Sequence, residues 1–281
     1  MSERPIHIAI EHASKSFGQG ENRKLVLNNI TLEVRKGEFL TFFGPNGCGK
    51  TTLLNMLVGI EPVDEGTLKI NSEGDKPRVG YIFQDYRGNL MPWLTVAQNI
   101  AFPLKIRGLP RTERMAKVEA LKDRFGFTVD LNARTYTLSG GQAQLTSILR
   151  ALVIDPDILL MDEPFSALDF QTNLSLYDKV LKIWETAGVT VLLVSHDLDE
   201  ALYLGERTVF LTKQPATIAE VLDNTVPGEK NLAQMGTEGF ASLKAKALHI
   251  FQTLALNQKT PGQAVSGSET TPFSPPANRK E

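Results

Sequence analysis

The chain contains a single cysteine, Cys48, so an internal disulfide framework is excluded and a reducing compartment suits it. It also lacks a charge of one sign. Thirty basic and 32 acidic side chains leave a formal −2, and without a basic excess nucleic acid is not expected as a main partner. Long apolar runs are missing too. No stretch approaches the roughly 18–20 residues needed to span a bilayer, and "VTVLLV" and "ILLM" are long enough only for buried strands. The opening "MSERPIHIAIEHASKSFG" lacks the basic-then-apolar pattern of a secretion signal. If the protein works at a membrane, something else must hold it there. No internal repeat is present. What is there is ordinary for a globular chain: 281 residues, 42% hydrophobic and 22% charged, enough for one large core or two modest ones.

Short runs of Ile, Val and Leu, separated by Gly, Asn and Asp, predict strands over 6–11, 25–34, 67–72 and 79–84. "EFLTFF" (38–43) reads as a buried strand, and "TTLLNMLVGI" after it has helical apolar spacing that ends near Gly59 and Pro62. From 96 to 135 the pattern is helical. Strands resume at 157–162, 189–195 and 208–213 with helical stretches between them. That alternation predicts an α/β fold, a mainly parallel, doubly wound sheet with a helical insertion. Residues 105–124 carry seven basic side chains against three acidic ones, which reads first as a solvated helix face and second as a docking surface. After about 256 the chain is rich in Pro, Ser and Thr, and disorder is expected.

"GPNGCGKT" (44–51) matches G-x-x-x-x-G-K-[ST], with a strand before it and a helix after it. Glycines 44, 47 and 49 let the backbone curl so that successive N–H groups point at phosphate oxygens, and the helix N-terminus adds partial positive charge. Lys50 is expected to reach the β- and γ-phosphates of a nucleotide, and Thr51 to ligate Mg²⁺. Cys48 is expected to be simply a small residue between two glycines. In "DILLMDEP" (157–164) two carboxylates end a predicted parallel strand, where ligands sit in open α/β sheets. Neighbouring side chains on a strand point opposite ways, so Asp162 and Glu163 are expected to divide the work. Asp162 would hold Mg²⁺, and Glu163 would activate the attacking water as general base.

These motifs together resemble one family, the ATP-binding subunits of ABC transporters, over about residues 6–225. Beside the phosphate loop and "ILLMDEP", the chain carries Phe17 in "SKSFG", Gln84 in "YIFQD", "LSGGQ" (138–142), "SALD" (166–169) and "VSHDLDEAL" (194–202), in the family's order. The resemblance implies a P-loop NTPase core with an N-terminal antiparallel β-subdomain and a helical subdomain at about 85–150. It implies a nucleotide-binding domain over 1–225, followed by a C-terminal helical extension at 226–255 and a disordered tail at 256–281. ATP and Mg²⁺ are the implied cofactors. The nucleotide would be bound by Phe17 under the adenine, by Gly44, Pro45, Asn46, Gly47, Cys48, Gly49, Lys50, Thr51 and Thr52, and across a dimer by Ser139, Gly140, Gly141 and Gln142. Thr51, Gln84 and Asp162 would hold the metal, with Glu163, His196 and Gln84 catalytic. His7, His12 and His249 attract no functional reading.

The implied partners are a second ATPase subunit, identical or different, integral-membrane permease subunits and, indirectly, an extracytoplasmic solute-binding protein. The implied location is the cytoplasmic face of the inner membrane. "LMPWLTVAQNIAFPL" (90–104) is similar to importers of nitrate, sulfonate or taurine, although Trp93 by itself reads first as a packing aromatic. The chain departs from the family behind the signature, where Ala143 and Leu145 replace usual charged residues. With those positions taken as exposed, the signature half-site is expected to be weakened by about 0.3–1 kcal/mol for each lost charge. Two alternatives stand beside a working transport ATPase. One is a regulatory nucleotide-binding subunit of an asymmetric pair with little turnover, the other a soluble ATPase acting on DNA or ribosomes.

Overall fold

A computed structural model describes residues 4–257, with 73, 75 and 229 excepted. Strands β1 (Ile6–Phe17) and β2 (Lys24–Arg35) form an antiparallel pair, followed by β3 (Phe39–Phe43) and helix α1 (Lys50–Leu57). β4 (Glu65–Ile70) returns to the first pair and β5 (Val79–Ile82) joins the second sheet. Helices α2 (Tyr86–Asn89), α3 (Val96–Ile100), α4 (Phe102–Ile106), α5 (Arg111–Phe125) and α6 (Gly140–Leu152) make the insertion. The chain then alternates through β6 (Ile158–Asp162), α7 (Phe170–Ala187), β7 (Thr190–Ser195), α8 (Leu198–Leu204) and β8 (Arg207–Leu211). It closes with β9 (Ile218–Asp223) and α9 (Glu238–Asn257).

The second sheet has the order β5-β6-β7-β3-β8-β9, parallel except for β8 with β9. The first has the order β2-β1-β4, all antiparallel. The expected α/β class, with its mainly parallel sheet, antiparallel N-terminal sheet and helical insertion, is therefore the observed one.

Strands β3, β6 and β7 are buried at every residue, because a parallel sheet is covered on both faces. Their alternation sorts the side chains into two cores. Phe39, Leu159, Met161, Val191 and Leu193 enter a core shared with the helical insertion and α7. Leu40, Phe42, Leu160, Leu192 and Val194 enter one under the antiparallel sheet, with Ile8, Ile10, Leu53 and Leu54. This double burial fixes the register and holds the carboxyl ends of the parallel strands side by side.

Some boundaries differ from the pattern-based reading. The helical stretch at 96–135 is broken, with Pro103 in the first turn of α4 and Pro110 capping α5, and helix α5 ends at Phe125 with Gly126 in the left-handed region. Strand β9 was not anticipated. Helix α9 runs to Asn257 and docks through Phe240, Leu243 and Ala247, while Phe251 meets the Phe43 ring edge-on at 5.4 Å. Residues 258–281, most of the expected tail, lie outside the described residues. Among the described residues no helix is long and apolar enough to cross a membrane.

Candidate active site

The parallel register brings four loops together at the carboxyl ends of β3, β5, β6 and β7. The loop after β3 is the glycine-rich one. Gly49 has a φ of 117° and caps α1. A Cβ there would lie 2.8 Å from Leu27 Cδ2, so both the conformation and the packing call for glycine. Pro45 is half-buried, Asn46 and Gly47 are exposed, and Cys48 is buried. Burial pushes the Cys48 thiol up, which suits the small-residue reading and not a reactive thiolate. Lys50 is 5% exposed; its Nζ donates to the Gly44 and Pro45 carbonyls at 2.9 and 3.2 Å. Thr51 is exposed and Thr52 half-buried on the first turn of α1.

The carboxylates at the end of β6 part company, but not through strand alternation alone. Asp162 is the last strand residue and is buried; desolvation raises its carboxyl, while a hydrogen bond from Thr51 pulls the other way. Tyr81 Oη lies 3.5 Å from it. Glu163 follows with a φ of 45°, a left-handed conformation that costs a non-glycine residue about 1–3 kcal/mol. Its N–H donates to the Val194 carbonyl at 3.0 Å, which ties the turn to the end of β7. The turn swings the Glu163 side chain into a cluster. Gln84 Nε2 donates to its Oε2 at 3.3 Å, His196 Nδ1 lies 3.0 Å from the same oxygen, and Lys50 Nζ is 3.7 Å from Oε1. Three residues from three separate loops thus meet on one carboxylate.

Thr51 and Asp162 meet beside this cluster, and Gln84, whose Nε2 faces Glu163, has an amide oxygen to add to them. The Thr51 hydroxyl already lies against the Asp162 carboxylate. A hydroxyl, a carboxylate and an amide oxygen form a hard donor set that fits Mg²⁺ better than a softer metal.

Phe17 ends β1, is 40% exposed, and has Lys15 Nζ 5.3 Å from its ring centroid. Lys15 is itself held by the Pro62 carbonyl and by Asp64. Ser139 is the N-cap of α6 in a reciprocal pair with Gln142. Its Oγ accepts the Gln142 N–H at 3.3 Å, and the Gln142 side chain accepts the Ser139 N–H at 3.0 Å. Gly140 and Gly141 open the helix, leaving their N–H groups at its positive end. Among the described residues, no hydrogen bond or ion pair joins Ser139, Gly140, Gly141 or Gln142 to Lys50, Asp162, Glu163 or His196. The signature therefore opens α6 with a capped, positively polarised N-terminus that does not meet this chain's own phosphate loop.

Two sequence expectations are corrected. Ala143 and Leu145 are 1% and 7% exposed and belong to the core that α6 shares with the insertion and α7. An exposed lost charge is therefore not the consequence of these residues. They present apolar packing to a buried helix face, and the electrostatic argument for a weakened half-site falls. The variant Ala143→Arg with Leu145→Arg is expected to lower the melting temperature by roughly 5 °C or more, because unpaired charge is forced toward a core. Thermal unfolding followed by circular dichroism checks this; an unchanged melting temperature contradicts it. Second, Trp93 is 70% exposed and is not a packing aromatic.

The sequence reading also passed over Tyr177 and Glu200, which lie directly behind the cluster. Glu200 stands four residues after His196 inside a motif already noted, so its position carried a signal. Tyr177 had none.

Residues 27–166 match the family profile described as ABC transporter. The chain is 37% identical over 254 residues to an aliphatic sulfonates import ATP-binding protein of Bacillus cereus, covering 89% of this chain and 98% of that one. It is 39% identical over 218 residues to a taurine import ATP-binding protein of Pseudomonas aeruginosa, covering 76% and 82%. Its fold is similar, with a TM-score of 0.66 and 29% identity, to a solved ATP-binding cassette described as a dimer in a post-hydrolysis state bound to ADP and Pi. That match covers 78% of this chain and 99% of the other.

Proposed function

The chain belongs to the ABC transporter family as one of its ATP-hydrolysing cassettes, and on that premise we propose that it powers uptake of a small sulfonate such as taurine through separate permease subunits. The observation that carries hydrolysis is the convergence of Lys50, Gln84 and His196 on Glu163. What supports the solute class is 37–39% identity, over most of the chain, to proteins that import aliphatic sulfonates and taurine. Nitrate is a less favoured solute, since it rests on the "LMPWLTV" run alone.

In this reading two cassettes close head to tail on ATP. Lys50 and the loop N–H groups hold the phosphates, Phe17 supports the adenine, and the second subunit's signature cradle completes the γ-phosphate site. Thr51, Asp162 and Gln84 would hold Mg²⁺, whose charge would offset that of the phosphates. Glu163 takes the proton of the attacking water, and His196 holds Glu163 and the γ-phosphate region in register. A regulatory subunit without turnover is disfavoured, because such a role has no use for a general base held by three partners.

The permease surface we assign to the helical insertion. Trp93, Tyr136 and Ile106 are each at least 70% exposed there. Tyr136 also lines a hollow of about 300 Å³, with Arg87, Leu90, Pro92, Thr135 and Ala143. A cassette with no spanning helix needs such an anchor to sit at the cytoplasmic face of the membrane. The test reconstitutes the chain with its permease and solute-binding protein in vesicles. Taurine or an alkanesulfonate is expected to stimulate ATP hydrolysis several-fold, and Trp93→Ala to abolish that stimulation while basal hydrolysis persists. Stimulation by nitrate alone, or by none of these solutes, would overturn the solute assignment.

A further inference from the structure

We infer that Tyr177 and Glu200 are a positioning pair that locks the switch-histidine turn to the loop carrying Glu163, so that the two groups stay in register during hydrolysis. The inference rests on the ATPase reading and adds two residues to it, neither of which touches ATP.

Both side chains are 5% exposed. Tyr177 lies on α7, and its Oη donates to Glu200 Oε2 on α8 at 3.1 Å. On its other side the Tyr177 ring meets Phe165 nearly perpendicularly, 83° at 5.1 Å between centroids. Phe165 is itself 1% exposed and stands two residues after Glu163. One side chain therefore grips both loops: the Glu163 loop through its ring, and the histidine turn through its hydroxyl.

Glu200 is tied to the turn that carries His196 twice, its carboxyl by a hydrogen bond from Ser195 and its backbone by Asp197. Its N–H donates to Asp197 Oδ1 at 3.1 Å, so Asp197 caps α8. Ser195 Oγ clamps the same turn, accepting the Asp197 N–H at 2.9 Å and donating to the Asp197 carbonyl at 3.0 Å. His196 lies between these two residues. A second link, Tyr203 Oη donating to Asp178 Oδ1 at 2.7 Å, sets the spacing of α7 and α8 independently. A lone buried carboxyl would be costly at this place, and hydrogen bonds from Ser195 and Tyr177 together make it tolerable.

The chemistry around Glu200 gives the pair a distinctive signature. Burial pushes its carboxyl up to about 8; hydrogen bonds from Ser195 and Tyr177 oppose that shift, and the charges of Asp197 and Glu163 reinforce it. From α9, Lys244 pairs with Asp199 on the outer side of α8. At neutral pH Glu200 is thus mainly neutral. Above its pKa a second negative charge appears behind Glu163 and beside Asp197, and the turn is pushed apart.

The experiment measures steady-state ATP hydrolysis of the assembled transporter, against ATP concentration and from about pH 6 to about pH 9. Tyr177→Phe keeps the ring and removes only the hydroxyl. It is expected to lower kcat roughly tenfold, with KM for ATP within about twofold, as for a small displacement of a catalytic group. Glu200→Ala is expected to do the same. Glu200→Gln, which still accepts from Tyr177, is expected to restore kcat and to remove the decline in kcat expected of the unsubstituted protein as the pH rises past about 8. Melting temperatures read on the same samples identify any variant that fails to fold, and Tyr177→Phe then carries the kinetic test, being the least disruptive. A kcat for Tyr177→Phe within about twofold of the unsubstituted protein would overturn the pair. So would an alkaline decline that survives in Glu200→Gln. If hydrolysis were undetectable in the unsubstituted transporter, the ATPase reading itself would fail, an outcome separate from these.

Discussion

Glu163→Gln is expected to slow ATP hydrolysis by about 10²–10⁴-fold while ATP binding is preserved or tightened. The amide has the size and shape of the carboxyl, so the left-handed turn at φ 45° and the tie from its N–H to the Val194 carbonyl remain. Gln84 at 3.3 Å still has an oxygen to donate to. What disappears is the ability to take a proton from water. A negative charge is also removed from the place where the γ-phosphate must approach, so repulsion against ATP falls. Lys50, Thr51 and Asp162, the groups assigned to phosphate and Mg²⁺, are untouched. Phosphate release and equilibrium binding of ATP, measured on the same preparation, separate the two effects. Turnover within about threefold of the unsubstituted protein would show that Glu163 is not the base.

Lys50→Ala carries the second large effect, and on the opposite quantity. It is expected to weaken ATP binding by about 10–100-fold, matching the ~1.5–3 kcal/mol of a hydrogen bond to a charged group. Lys50 is buried, and its amine is fixed by two loop carbonyls at 2.9 and 3.2 Å, so the charge is held in place before any ligand arrives. Preorganised charge of this kind loses little entropy on binding, which is why its removal is felt in affinity. The same variant leaves the Glu163 carboxylate without its cation at 3.7 Å. Lys50→Arg is not expected to rescue, since a planar fork cannot replace a compact ammonium between those carbonyls. Titration with a fluorescent ATP analogue measures the loss; unchanged affinity for Lys50→Ala would remove Lys50 from the phosphate site.

The two variants differ in how far sequence alone could have singled them out. Lys50 was legible because everything that positions it is local: a strand, three glycines and the first turn of a helix within about a dozen residues. Glu163 was legible as a carboxylate at the end of a strand, but its geometry was not. Alternation assigned Asp162 and Glu163 to opposite faces, whereas the separation comes from a backbone turn secured by a neighbouring strand. Strand β9 escaped for a related reason. "IAEVLD" has residues that suit a helix as well as a half-exposed edge strand, and only antiparallel pairing with β8 decides between them. Ala143 and Leu145 looked like missing surface charges because the sequence shows which residue type is lost and not which way a helix faces. Packing of α6 into the core turned that loss into a change of buried volume.

By itself, then, the sequence determined the class of the fold, the order along the chain of every strand but β9, and the residues proposed for phosphate binding and proton acceptance. Periodicity and motif spacing are properties of contiguous residues, and they survive without a tertiary structure. The meeting of Lys50, Gln84 and His196 on Glu163, the exposure of Trp93 and the buried contact of Tyr177 with Glu200 were decided by tertiary structure. Each depends on strands and helices far apart in the chain being set side by side in one register, and the two-sided burial of β3, β6 and β7 imposes that register.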